Sequence, residues 1–265
     1  MHVLYPESPL DRTRADDLYH EEFTAVQAAG YPCSLFDFDA LMFDEFQPRP
    51  RLKADSRVLY RGWMLNAQNY QTLATQIGRQ GSVAITSPAQ YLRCHYLPGW
   101  YAQCAEFTAE THFFDANEDI RSHLEKLGWR EYFVKDFVKS NTAEKGSIAR
   151  SVPEVLDIVE QISMYRGEIE GGIAIRKVED YQPGTERRYF VVNGHACSID
   201  GTVPELIEKI AARIQSPFYS VDIACNTKGE FRLIELGDGQ VSARKEWPLL
   251  KFVEMLTKNE SEGRL

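Results

Sequence analysis

Two runs rich in strand formers stand near the end of the chain, Phe218-Tyr-Ser-Val-Asp-Ile-Ala-Cys225 and Glu230-Phe-Arg-Leu-Ile-Glu-Leu-Gly-Asp-Gly-Gln240. A Lys-Gly pair between such runs reads as a β-hairpin. With Lys228 and Gly229 as a two-residue loop, Thr227 and Glu230 close it and Asp222 falls directly opposite Glu235. Opposed side chains on one face have Cβ atoms roughly 4.5–5.5 Å apart, where two carboxylates repel. Either a cation neutralises the pair, or both carboxylates are solvated on a half-exposed strand. Hard oxygen ligands beside a phosphate-bearing substrate suit Mg²⁺. A bulge in either strand would move this register by one residue.

Composition constrains the rest less tightly. A chain of 265 residues with 43% apolar content can bury one large core or two modest ones. A net charge of −9 argues against a surface built to grip nucleic-acid backbones, so no nucleic acid partner is expected. Five scattered cysteines (Cys33, Cys94, Cys104, Cys197, Cys225) form no C-x-x-C pair. They fit reduced thiols and not a zinc site. No apolar run reaches bilayer length and no basic-then-apolar leader opens the chain, so the expectation is a soluble, cytoplasmic protein with no membrane partner.

The first 85 residues alternate strand-like and helix-like segments: strands at His2–Tyr5, Ser34–Phe38, Arg57–Arg61 and Ser82–Thr86, helices at Ala15–Ala29 and Asn66–Ile77, the latter two stopped by Gly30 and Gly78. Such alternation predicts a small α/β layer domain with a largely parallel sheet. Ligands of such sheets bind at the C-terminal strand ends, which makes Arg61 either an anion holder or a surface arginine. Ser87-Pro opens a helix to about His95, with Arg93 near its end. Thr111–Phe114 reads as a strand, Asn117–Leu127 as a helix capped by Asn117 and stopped by Gly128, and Leu97–Phe107 shows no clear period.

Glu131-Tyr-Phe-Val-Lys-Asp-Phe-Val-Lys-Ser is a strand in which Lys135 interrupts an apolar run. A buried lysine needs an anion. Adjacent Asp136 points to the other face, so the partner is a distant acidic side chain or a ligand phosphate. Lys139 shares its parity, and the polar loop from Asn141 to Ile148 fits a flap, although it lacks Walker A spacing. Pro153–Arg166 is an amphipathic helix, Gly171–Val178 a strand entered through two glycines, and Glu186–His195 a strand with an Asn193-Gly194 turn. Helices at Pro204–Ile214 and Trp247–Leu256 complete the chain.

These parts, in this order, resemble the ATP-grasp superfamily, and within it the RimK-like peptide ligases. The resemblance rests on Val221-Asp-Ile-Ala and Leu233-Ile-Glu-Leu-Gly-Asp-Gly, on the strand lysine and on Glu186-x-Arg188. It implies an α/β (α+β) chain with an N-terminal substrate domain, residues 1–86, before an ATP-grasp domain, residues 87–265. That domain divides into a small lobe, about 108–178, and a C-terminal lobe, about 179–265, with ATP between them. By the match, Asp222 and Glu235 hold Mg²⁺, and Lys135 contacts the α and β phosphates and takes part in catalysis, with Lys139 nearby. Arg93 stands where the family has an earlier phosphate-contacting lysine. The backbone of Lys177 and Val178 faces the adenine, Glu186 binds the ribose, and Arg188 faces phosphate or substrate. The family's third metal ligand, an Asn two residues after the Glu, is here Gly237, for which Asp238 or water would substitute. The implied activity is ATP-dependent carboxylate–amine ligation through an acyl phosphate. A small-molecule kinase and a non-catalytic nucleotide-binding module are the alternatives. The implied partners are a small-molecule or peptide carboxylate and an amine acceptor, and a homodimer is compatible with the family.

Overall fold

The computed structural model describes residues 1–138, 147–166, 169–263 and 265, the side chains of 165 and 166 excepted. Four parallel strands open the chain: β1 (His2–Pro6), β2 (Cys33–Phe36), β3 (Arg57–Tyr60) and β4 (Val83–Ala84), in the order β2-β1-β3-β4. Between and after them run α1 (His20–Ala28), the short α2 (Phe38–Leu41), α3 (Ala67–Arg79) and α4 (Pro88–His95). The expected parallel layer is present, with shifted helix bounds. Helix α1 begins five residues later than predicted, because Ala15 bridges Glu7 and the Asp16 side chain accepts from Leu18 N–H in a turn. Asn66, where the predicted helix begins, caps α3 through Asn69 N–H. Gly78 does not stop that helix; the chain turns at Gly81, where φ is +76° and a side chain would be strained.

After α5 (Leu97–Cys104) comes an antiparallel sheet of β5 (Thr111–Phe114), β6 (Tyr132–Asp136), β7 (Ile148–Ala149) and β8 (Ile173–Lys177), ordered β5-β8-β6-β7. Helices α6 (Arg121–Leu127) and α7 (Val152–Arg166) bury Leu124, Val155, Ile158 and Ile162 against Val134, Ile173 and Ile175 of that sheet. Helix α6 starts later than the Asn117 predicted as its cap, and Gly128 ends it at φ +59° as expected. The third sheet runs β10-β9-β11-β12, with β9 (Arg187–Val192), β10 (His195–Cys197), β11 (Phe218–Cys225) and β12 (Phe231–Asp238). Asn193 and Gly194, both at positive φ, turn β9 into β10 as the Asn-Gly signal predicts. The last helices are α8 (Glu205–Ala211) and α9 (Leu249–Ser261).

By contacts the chain forms two units: residues 1–94, 187–221 and 237–265, and residues 95–186 with 222–236. In the first, Phe190, Phe218, Trp247 and Phe252 form an aromatic core, and Val253 joins Val3, Tyr5 and Val26 in a second cluster. In the second, the core lies between α6, α7 and the antiparallel sheet.

Arg61 corrects an expectation. It is neither an anion holder nor a surface residue, being 1% exposed. Its Nε and Nη2 donate to the two Glu22 oxygens at 2.7 and 2.9 Å, and Nη1 donates to the carbonyls of Gly239, Gln240 and Ser242. The guanidinium also sits 4.8 Å from the Phe252 ring centroid. Every side of this cation is engaged, so it fixes the chain after β12 to the first unit.

Candidate active site

Lys135 lies on β6, a strand whose alternate residues Tyr132 and Val134 enter the core under α7. Its own face is therefore the opposite one. There it meets Glu235: Nζ donates to Oε1 at 2.5 Å. The lysine side chain is 4% exposed and the glutamate 39%, so the ion pair is closed on the lysine side and open to water on the carboxylate side. Neighbouring Asp136 faces away, as strand parity requires, and accepts from Val138 N–H. Of the two partners the sequence allowed Lys135, the structure holds the protein carboxylate.

The hairpin that carries Glu235 is closed differently from the prediction. Asn226 N–H donates to Glu230 C=O at 2.8 Å and Gly229 N–H to Asn226 C=O at 3.0 Å, so the loop is Thr227-Lys228-Gly229, three residues and not two. The cause is local chemistry. Asn226 Oδ1 accepts from both Lys228 and Glu230 N–H, and Gly229 takes φ +85°, giving a turn followed by a left-handed residue. Counted from this tip, Ile234 takes the place opposite Asp222. Leu233 and Leu236 are nonetheless both buried, three residues apart, with Ile234 and Glu235 half-buried between them. A strand that alternates with period two shows this pattern where one extra residue is inserted. The slip at Ile234–Glu235 sets Glu235 beside the position facing Asp222. Asp222 itself is 2% exposed.

Around the hairpin, Arg232 donates from Nη2 to Glu179 Oε1 at 3.0 Å and from Nε to Oε2 at 3.2 Å, and also bonds the Thr108 carbonyl. These contacts hold Glu179 below the usual carboxylate range, although burial alone would raise it. Arg176, on β8, gives no signal in the sequence, where it merely follows an apolar run and precedes Lys177. Its Nη1 donates to Ile234 C=O at 2.7 Å and its Nε to Thr111 Oγ1 at 3.3 Å, beside Glu235 on the chain.

The candidate residues divide between the two units. Lys135, Lys177, Val178, Glu186, Asp222 and Glu235 belong to the second, and Arg93, Arg188 and Asp238 to the first. Lys139 and residues 141–146 of the expected flap lie outside the described residues. Arg93 Nη1 donates to Gln215 C=O, and Arg188 is engaged by its own unit, with N–H to Glu246 and Nη1 to the Ala243 carbonyl. Asp238 is fully buried. Its Oδ1 accepts from Gln240 N–H and Nε2–H at 3.0 Å each, and Gln240 Nε2 also reaches Tyr70. Burial raises this carboxyl to about 7, against roughly 3.9 for a solvated one. Gly237 has a steric explanation. A Cβ there would lie 2.8 Å from Ser242 Oγ and 3.0 Å from Ser220 Oγ, two hydroxyls that bond each other at 2.7 Å. An asparagine has no room while those serines stand.

Among the described residues no group of three or more His, Cys, Asp or Glu side chains is arranged to hold a metal. Two carboxylates, Asp222 and Glu235, are a sufficient protein contribution for Mg²⁺, which keeps waters and takes its other ligands from phosphates. A cavity of about 790 Å³ in the first unit, lined by His195, Ile199, Met255 and others, contains none of the candidate residues.

Residues 125–256 match the model of an ATP-grasp domain, the third family of one clade of that superfamily. The chain belongs to the ATP-grasp superfamily. Solved ATP-grasp structures share the fold across nearly the whole length. D-cycloserine synthetase DcsG aligns with a TM-score of 0.65 at 13% identity, covering 98% of this chain and 99% of that one. A RimK domain ATP-grasp protein from Sphaerobacter thermophilus gives 0.63 at 13% identity, over 97% and 98%. The D-alanine-D-alanine ligase from Coxiella burnetii gives 0.62 at 13% identity, over 100% and 98%. No curated protein matches the chain in sequence. The mixed parallel and antiparallel sheets are those of the ATP-grasp fold expected from the sequence. No helix among the described residues is long and apolar enough to cross a membrane.

Proposed function

We propose that this ATP-grasp chain is an ATP- and Mg²⁺-dependent ligase that joins a carboxylate to an amine through an acyl phosphate. The observation that carries the reading is the Lys135–Glu235 contact, which puts the strand lysine of the motif against the glutamate of the metal motif. The domain match and the ligases and synthetase among the similar structures support the reaction class. In this reading residues 1–86 form the substrate domain and residues 87–265 the ATP-grasp domain. Asp222 and Glu235 would hold Mg²⁺, which would supply charge neutralisation on the transferring phosphoryl group. Lys135 leaves Glu235 for the α and β phosphates, which frees the carboxylate for the metal. Lys177 and Val178 present backbone groups to the adenine, and Glu186 accepts from the ribose. Arg93 and Lys139 stand near the phosphates, and Arg188 holds the acid or its phosphate. Asp238, closed in with Gln240, would reach a metal only if that network opened, and otherwise water would take that place.

Turnover tests this directly. Asp222→Asn and Glu235→Gln should each abolish Mg²⁺-dependent ATP consumption while the far-UV spectrum holds. Glu235→Gln also takes its paired anion from the buried Lys135, so its melting temperature should fall while the fold is retained. Near-normal turnover in either variant removes that residue from the metal site. Incubation with ATP and pooled amino acids or cell extract, with the product identified by mass, would name the carboxylate and the amine.

A further inference from the structure

We infer that Arg176 is a phosphate-binding residue of the nucleotide site, a second cation on the sheet face that carries Lys135. Resting on the proposed function, it adds a residue to that site.

The register places Arg176. On β8 it lies opposite Phe133 of β6 and Thr111 of β5, while Lys135 lies opposite Ala174. Directly opposed residues share a face, so Arg176 and Lys135 project to the same side, diagonal to each other at roughly 7–8 Å. Both reach the same hairpin, Lys135 through the Glu235 carboxylate and Arg176 through the carbonyl of Ile234, one residue earlier. The face is thus cationic where the hairpin brings its acidic residue.

Arg176 is incompletely used there. A guanidinium has five N–H donors in a fixed fork. Nε and Nη1 are engaged, but Nη2 is buried and finds no acceptor among the described residues. This contrasts with Arg61, whose Nε, Nη1 and Nη2 all find acceptors. A buried, unpaired N–H on a cation is costly unless something arrives to accept it. Burial lowers the pKa of Arg176, and among the groups opposing that effect Glu235 is the largest. An anion that draws Lys135 off Glu235 and spreads over the face would accept from Nη2 without disturbing the bond to Ile234. A nucleotide polyphosphate has that shape and charge. A planar fork also reads two oxygens at once, as a lysine cannot.

The test separates the phosphates from the nucleoside. Dissociation constants of ATP, ADP and adenosine are measured by calorimetry for the wild type, Arg176→Gln and Arg176→Lys. The expected result is a loss of roughly tenfold or more for ATP and ADP in Arg176→Gln, the worth of a charge-assisted hydrogen bond. Arg176→Lys should recover part of it, with adenosine within twofold throughout. Equal weakening of ATP and adenosine would make Arg176 a packing residue and overturn the inference, as would unchanged ATP binding. If Arg176→Gln does not fold, the Arg176 Nε–H resonance of the wild type, assigned through its absence in Arg176→Lys, replaces it. A shift with ADP and not with adenosine supports the inference, and a shift with neither overturns it. A wild type that binds no ATP at all would remove the functional reading itself, an outcome distinct from variants that bind like wild type.

Discussion

At the scale of single residues, the proposed reading leans most on one buried lysine. Lys135→Met keeps the stem that packs on β6 and deletes the charge. Glu235 loses its partner but stays open to water, so no charge is left buried and unpaired. The expected result is a stability change within ~1 kcal/mol and ATP affinity lowered at least tenfold, read by thermal shift with and without Mg-ADP. Large destabilisation with unchanged nucleotide affinity would make the lysine structural. Asp238 yields a pH prediction. Its folded-state value of about 7 exceeds the ordinary carboxylate value, so between pH 4 and 7 the native state holds a proton that the unfolded chain has lost. Its contribution is full below pH 4 and is lost as pH rises through 7, up to ~4 kcal/mol. Asp238→Asn should flatten that part of the melting-temperature profile. An unchanged slope assigns it to other groups.

At the scale of elements, the hairpin shows how far the sequence can be read. Its strands, its carboxylates and its Lys-Gly turn are legible because β propensity and glycine punctuation are local. The three-residue loop is not, because it depends on where the Asn226 side chain bonds. The slip at Ile234–Glu235 is equally hidden, since only tertiary burial distinguishes it from regular alternation. Arg61 misleads for a related reason: its strand-end position is plain, but Glu22 lies 39 residues away. The sequence narrows the lysine's partner to an acid or a phosphate, and only the fold selects Glu235. Gly237 completes the case, as the family resemblance implies an Asn there and the packing shows why glycine stands in its place. Gly237→Asn should therefore destabilise by about 1–3 kcal/mol through overpacking on Ser220 and Ser242. Ser242→Gly in the same chain should recover part of it. Denaturant midpoints would show this, and a fully stable single variant would mean that the serines move aside freely.

At the scale of the whole molecule, the reaction class and the structural arginine make opposite demands that one set of measurements separates. Glu22→Ala leaves Arg61 buried and uncompensated in the first unit, which typically costs about 3–5 kcal/mol. If that variant stays folded at low temperature, its KM for the acid should equal that of the wild type, because Arg61 is buried and closed off from any ligand. Arg188 is different. Its Nη1 meets the Ala243 carbonyl, and a guanidinium exchanges a carbonyl for a carboxylate readily. Arg188→Lys should raise KM for the acid more than KM for ATP, because an ammonium cannot form two parallel bonds. Both measurements presuppose a ligase, and phosphate release tests that. A kinase leaves a stable phosphorylated product, whereas an acyl phosphate is consumed by the amine. Inorganic phosphate should therefore appear in step with ADP, and only when an acid and an amine are both present. A phosphorylated alcohol accumulating without any amine would make the chain a kinase and leave Arg188 with the phosphate.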